Sequence, residues 1–114
     1  MRKQWHWHPE VTRADLPDVL GFYDFERLMV KAVLSAQMSE VCQTGSHPGL
    51  SRTNNQVREL VFAYRSDRLF VMFTIIDYQE MILGLHLGRC KEMSECPPLN
   101  ARRMAAARLR SSLL

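Results

Sequence analysis

The stretch RLFVMFTII, residues 68 to 76, is compatible with few folds. In an extended chain alternate side chains point to opposite sides, so Leu69, Val71, Phe73 and Ile75 line one face while Phe70, Met72 and Ile76 line the other. A strand that is apolar on both faces needs cover on both. It must therefore lie inside a sheet that carries a layer on each side. The preceding segment, Val57 to Tyr64, also alternates, and Arg65-Ser66-Asp67 forms a turn between the two. Asp77-Tyr78-Gln79 then turns the chain into a third strand, Met81 to Leu87. A three-stranded antiparallel meander is the expected centre of the molecule.

The covering layers come from either end. Residues 3 to 8, KQWHWH, alternate Trp5 and Trp7 with polar neighbours and predict a short strand stopped by Pro9. Asp15 before Leu16-Pro17-Asp18 predicts a helix start, with Asp15 as the capping side chain. A second, longer helix begins at Asp24, with Phe25, Leu28, Met29, Ala32, Val33 and Ala36 as its buried stripe. Glu26, Arg27, Lys31 and Gln37 fall opposite. Gly45 and His47-Pro48-Gly49 end that helix, and residues 49 to 56 read as a polar loop. After Pro97-Pro98, Asn100 caps a last helix over 101 to 114, rich in Ala and Arg. The expectation is one α+β domain spanning 1 to 114: a short strand, a helical pair, the meander and a C-terminal helix.

A net charge of +3 identifies no partner, but its distribution is uneven: Arg102, Arg103, Arg108 and Arg110 crowd the final helix with no acid among them. Such a local basic surface suits a polyanion or an acidic protein. Cys42, Cys90 and Cys96 are odd in number and form no CxxC pair, which argues against a disulfide framework and a zinc site and for reduced thiols. No apolar run approaches the length of a membrane span, and MRKQWHWHPE lacks the apolar core of a signal peptide. These features predict a cytoplasmic protein without cofactor or metal.

Arginines are the residues best suited to chemistry here. Arg65 and Arg68 flank one turn, and Arg58, Arg89 and Lys91 stand near the other strand ends. Guanidinium forks match anionic oxygens. With Phe70 and Met72 on the same face as Arg68, and Arg89 reaching over from the next strand, the expected site is a cleft with an apolar floor and a basic rim. His86, between Gly84 and Gly88, either has room for a ligand to approach or is a hydrogen-bonded structural histidine. His6 and His8 share a strand face without further ligands nearby, so they read as surface histidines. Trp5, Trp7, Phe62 and Tyr64 suit either base stacking or ordinary packing.

The segments VRELVFAYRSDRLFVMF, LHLGRCKEMSE and WHPEVTRADL resemble those of the RelE/ParE toxin superfamily, which includes the HigB, phage Gp49-like and BrnT branches. The resemblance implies the toxin of a type II toxin–antitoxin pair, held in check by a cognate antitoxin and directed at the ribosome and its mRNA, or at DNA gyrase in ParE-type relatives. It implies metal-independent RNA cleavage in which the 2′-hydroxyl attacks the adjacent phosphate, a step that needs a base, an acid and cations. Arg68, His86, Arg89 and Lys91 are then the catalytic candidates, and Arg58, Arg65, Arg102 and Arg103 the RNA-binding ones. The chain departs from the ribonuclease pattern where Val61, Ala63 and Phe70 replace basic residues and where Cys96 and Pro97 replace a tyrosine. His86 or His47 would have to substitute. A non-catalytic binding protein on the same scaffold is the alternative.

Overall fold

The computed structural model describes residues 3–21, 23–52, 56–91 and 93–112. Strand β1 (Gln4–Trp7) leads into a single wide turn (Val11–Asp15) and the short helix α1 (Leu16–Val19), followed by the long helix α2 (Asp24–Thr44). Then come β2 (Leu50–Arg52), β3 (Arg58–Tyr64), β4 (Asp67–Ile76), β5 (Met81–Cys90) and the C-terminal helix α3 (Leu99–Ser112). No helix among the described residues is long and apolar enough to cross a membrane.

The expected meander is present, extended by a strand on each side into a five-stranded sheet of order β1-β5-β4-β3-β2. The segment expected to be wholly loop contributes β2, which pairs Leu50 with Leu60 and Arg52 with Arg58. At the other edge β1 runs parallel to β5, from Gln4 beside Met81 to Trp7 beside Gly84. β4 is central, as its double apolar pattern requires: Leu69, Phe70, Val71, Met72 and Phe73 are all buried. On one side Leu69, Val71 and Phe73 meet α2, and on the other Phe70 and Met72 meet α3.

The two covering layers differ in substance. α2 inserts Val30, Leu34, Met38, Val41 and Cys42. This seam is not the stripe expected from the sequence: Phe25 and Leu28 are about two-thirds exposed, and Ala32 and Ala36 also face outward. The helix carries apolar residues on two sides. The side that wins contains the larger residues along its second half, where Phe73 and Ile82 need cover, whereas the expected stripe dwindles to alanine. Gly45 ends α2 as expected, in the left-handed conformation with φ of 73° and its amide on the Val41 carbonyl. By contrast α3 buries only Ala101, Ala105 and Leu109. It starts at Leu99, so Asn100 lies inside it rather than capping it.

Three more expectations are corrected: the capping role of Asp15, the end of the third meander strand and the reduced state of Cys90 and Cys96. Asp15 has helical backbone angles and makes no capping hydrogen bond, because the preceding wide turn already supplies the helix entry. β5 continues past Leu87 to Cys90, and the chain returns to bring Cys96 within disulfide range of it. Cys90 and Cys96 form a disulfide with their Cα atoms 6.0 Å apart, while Cys42 is buried in the core.

The two faces of α2 are distinguishable by mutation. Leu34→Ala should destabilise the protein by about 2–5 kcal/mol, the usual range for a buried leucine, and Leu28→Ala by less than about 0.5 kcal/mol. Urea unfolding of both variants measures this, and equal effects would refute the assignment of the buried seam.

Candidate functional site

The expected cleft is not assembled, because strand alternation sends its two main arginines to opposite faces. Arg68 shares the α3 side with Phe70 and Met72, and pairs across the ladder with Cys90. Its Nη2 donates to the carbonyl of Lys91 at 3.4 Å and to that of Ser94, so it fastens the loop that follows β5. Its Nε is buried without a partner among the described residues. Arg89 lies opposite Leu69, on the α2 side. There it donates to Asp67 Oδ2 at 2.7 Å and to Glu26 Oε1 at 3.0 Å, with its guanidinium 5.3 Å from the centre of the Tyr64 ring. Partial burial works against its charge, but the hydrogen bonds to Asp67 and Glu26 prevail and its pKa is raised.

The remaining arginines are scattered. Arg58 stands across from Phe73 at the far end of the sheet, bordering a cavity of about 720 Å³ that Ile75, Leu83 and Leu109 also line. Arg65 occupies the β3–β4 turn with φ of 54°, its side chain against the Met29 sulfur at 3.8 Å. Arg102 is engaged by buried Glu59 through two hydrogen bonds of 2.8 and 3.2 Å, with Glu95 at 3.6 Å. Lys91 and Arg103 are exposed.

The face on which Arg68 does lie is occupied by apolar groups. Val61 pairs with Phe70 and Ala63 with Arg68, so the residues that depart from the ribonuclease pattern are neighbours. Phe70 is buried, and its ring fills the space above Gly88, where an added Cβ would come within 2.2 Å of it. Glycine at 88 therefore makes room for Phe70 rather than for a ligand. Phe62 and Tyr64 are buried in the core under α2, so base stacking on them is not available. Trp5 and Trp7 pack edge to face at 4.6 Å against the same core.

His86 lies where the β4–β5 ladder slips by one residue: Met72 faces His86 and Phe73 faces Gly84, leaving Leu85 extra. Both Leu85 and His86 consequently turn toward α3. His86 Nδ1 lies 2.8 Å from Asp15 Oδ2, and Asp15 also accepts the Leu87 amide at 3.2 Å beyond the end of β1. Arg108 from α3 completes the cluster, with Nη2 donating to Asp15 Oδ1 at 3.0 Å and Nη1 to Asp15 Oδ2 and to the Leu85 carbonyl at 3.0 Å. Asp15 and Arg108 were not singled out as site residues from the sequence. A signal was present: Arg108 follows Ala101 and Ala105 on the inward side of its helix, next to Leu109.

The cluster fixes the state of the ring. Burial holds the His86 pKa below its ordinary 6.5 by disfavouring the imidazolium; Asp15 opposes this and Arg108 adds to it. Asp15 Oδ2 and Arg108 Nη1 both lie within hydrogen-bond reach of Nδ1, at 2.8 and 3.2 Å, and Nε2 has no protein partner among the described residues. Such a ring can take a proton. The other histidines have local roles. His8 Nδ1 accepts the Glu10 amide, and His47 accepts the Gly49 amide while its other nitrogen meets Gln37.

No family model matches the sequence, and no curated protein matches it in sequence. The backbone does have a known counterpart. E. coli toxin RelE, in a mutant form solved in the free state, superposes with a TM-score of 0.62, covering 96% of this chain and 99% of that one at 13% identity. The chain has a RelE-like fold. Its RelE-like sheet carries the Asp15–His86–Arg108 cluster at the β5 edge and places Arg68 and Arg89 on separate faces.

The cluster predicts a specific pH response. Below pH 6.5 the unfolded chain binds a proton at His86 before the folded one does, so His86 contributes a loss of stability as pH falls from there toward its lowered folded value. His86→Gln should flatten that part of the stability-against-pH curve. Asp15→Ala, which strands Arg108 and the Leu87 amide, should cost about 3–5 kcal/mol. Urea titrations from pH 5 to 8 read both, and an unchanged curve for His86→Gln would refute the neutral buried ring.

Proposed function

We propose that this chain is the toxin component of a type II toxin–antitoxin pair and that it disables its target by binding rather than by chemistry, as ParE-type gyrase inhibitors do. The RelE-like backbone along nearly the whole chain supports the toxin scaffold. The observation that carries the binding mode is the commitment of the arginines to protein groups. Arg89 is paired with Asp67 and Glu26, Arg102 with Glu59, Arg108 with Asp15, and Arg68 is spent on loop carbonyls. Buried Phe70 occupies the face where cations were expected. Partners in this reading are a cognate antitoxin and a cytoplasmic protein target such as gyrase.

A second reading, ribosome-associated mRNA cleavage, is favoured by one observation: His86 presents an Nε2 without a partner among the described residues, while Asp15 and Arg108 meet its other nitrogen. In that reading His86 is the base. Arg68 shares its face of the sheet whereas Arg89 lies on the opposite one, so that reading rests on His86 and Arg68, with exposed Lys91 and Arg103 as contacts to RNA.

Tightly controlled expression separates the two. Binding of gyrase predicts that DNA synthesis falls first and that His86→Ala, provided it folds, still arrests growth. An early fall in protein synthesis, with cleaved mRNA that disappears in His86→Ala, would replace this reading with the catalytic one. Unimpeded growth at high soluble expression would end both.

A further inference from the structure

α2 has a second apolar face that its own fold leaves uncovered. Phe25, Leu28, Ala32, Ser35, Ala36 and Ser39 recur at three- and four-residue spacing on the side away from the sheet. None is charged, and all but half-buried Ser39 are exposed. The stripe is roughly 21 Å long at the helical rise per residue. A helix apolar on both sides is normally enclosed on both, and here only one enclosure is internal.

The rim indicates the partner. Along one side of the stripe run Arg27 and Lys31, a turn apart, neither in an ion pair among the described residues; Arg27 gives one hydrogen bond to the Gly21 carbonyl. Of the helix's acids on the other flank, Glu26 is engaged by Arg89, and Glu40 lies 3.7 Å from His47, whose Nε2 meets Gln37. Asp24 sits in the first turn, where the helix dipole favours it. With Asp24 on the same flank one turn before Arg27, the rim formed by Arg27 and Lys31 keeps a net positive charge. Beyond its far end Ser39 lines a cavity of about 500 Å³ together with Lys3, Gln4, Trp5 and Cys42, large enough to seat a side chain from a neighbour. Small residues at 32, 35, 36 and 39 permit close approach of another helix, while Phe25 and Leu28 offer it bulk.

We infer that the outer face of α2 docks an amphipathic helix of another protein whose apolar stripe is flanked by acidic residues. The seating is helix against helix, with the partner's carboxylates over Arg27 and Lys31. A second copy of this chain fits less well. Two α2 helices packed antiparallel about a two-fold axis bring like rims together, which sets arginine and lysine against their own kind.

The test uses purified full-length protein and two synthetic helical peptides, one with leucine at every third and fourth position and glutamate on the flanks, the other with lysine in place of glutamate. Fluorescence anisotropy should show the acidic peptide binding at least about tenfold more tightly than its basic twin, the factor that 1.4 kcal/mol represents. Leu28→Glu should abolish binding with an unchanged melting temperature, since the residue is exposed. Arg27→Glu with Lys31→Glu should reverse the preference toward the basic peptide. Equal affinity for the two peptides, binding of neither, or a sedimenting dimer that Leu28→Glu dissociates would overturn the inference. The readout is independent of growth arrest, so it stands or falls separately from the toxin reading.

Discussion

β4 is buried on both faces, and that burial places demands on everything around it. A strand with Leu69, Val71 and Phe73 on one side and Phe70 and Met72 on the other is stable only between two layers. The chain provides them unequally. α2 brings branched and long side chains, so the hydrophobic effect alone can hold it. α3 brings two alanines and one leucine to the interface. Its attachment is supplemented by charge, with Arg102 on Glu59 at one end and Arg108 on Asp15 at the other. Each acid is buried, so each pair is held by the large penalty for leaving a carboxylate without its partner.

The same geometry explains why basic residues close in sequence do not make a basic site. On a strand, neighbours in the ladder share a face only if their registers agree, and Arg68 pairs with Cys90 rather than with Arg89. One step of register separates a composite cleft from two unrelated surface features. Once on the α2 side, Arg89 meets Asp67 and Glu26 and becomes part of the scaffold. The slip at Leu85 has the opposite effect. It turns His86 to the α3 side and frees the Leu85 carbonyl for Arg108, assembling polar groups that are distant in the chain.

What could be read from the sequence was local. The meander, its turns, the centrality of β4 and the stop at Gly45 depend on alternation and on a few backbone preferences. What could not be read depends on distant contacts. α2 has two apolar faces, and only the position of Phe73 and Ile82 decides which is inside. β2 is three residues in a polar loop, defined as a strand solely by its pairing with Leu60 and Arg58. Cys90 and Cys96 lack any recognised spacing, and their bond arises because β5 runs on to Cys90 and the chain returns to it. Asp15 resembles a helix cap until Leu87 and Arg108 are brought to it.

The Asp15–Arg108 pair also bears on how the protein is made. These residues are 93 positions apart, and β1 likewise finds its place only when β5 exists. During synthesis the first strand and turn emerge with nothing to pair with, and Asp15 stays hydrated while the rest of the chain is added. Arg108 is made after every strand of the sheet, so its contact with Asp15 closes only once all the sheet-forming segments exist. A nascent chain stalled before Arg108 has its sheet but not its final clasp.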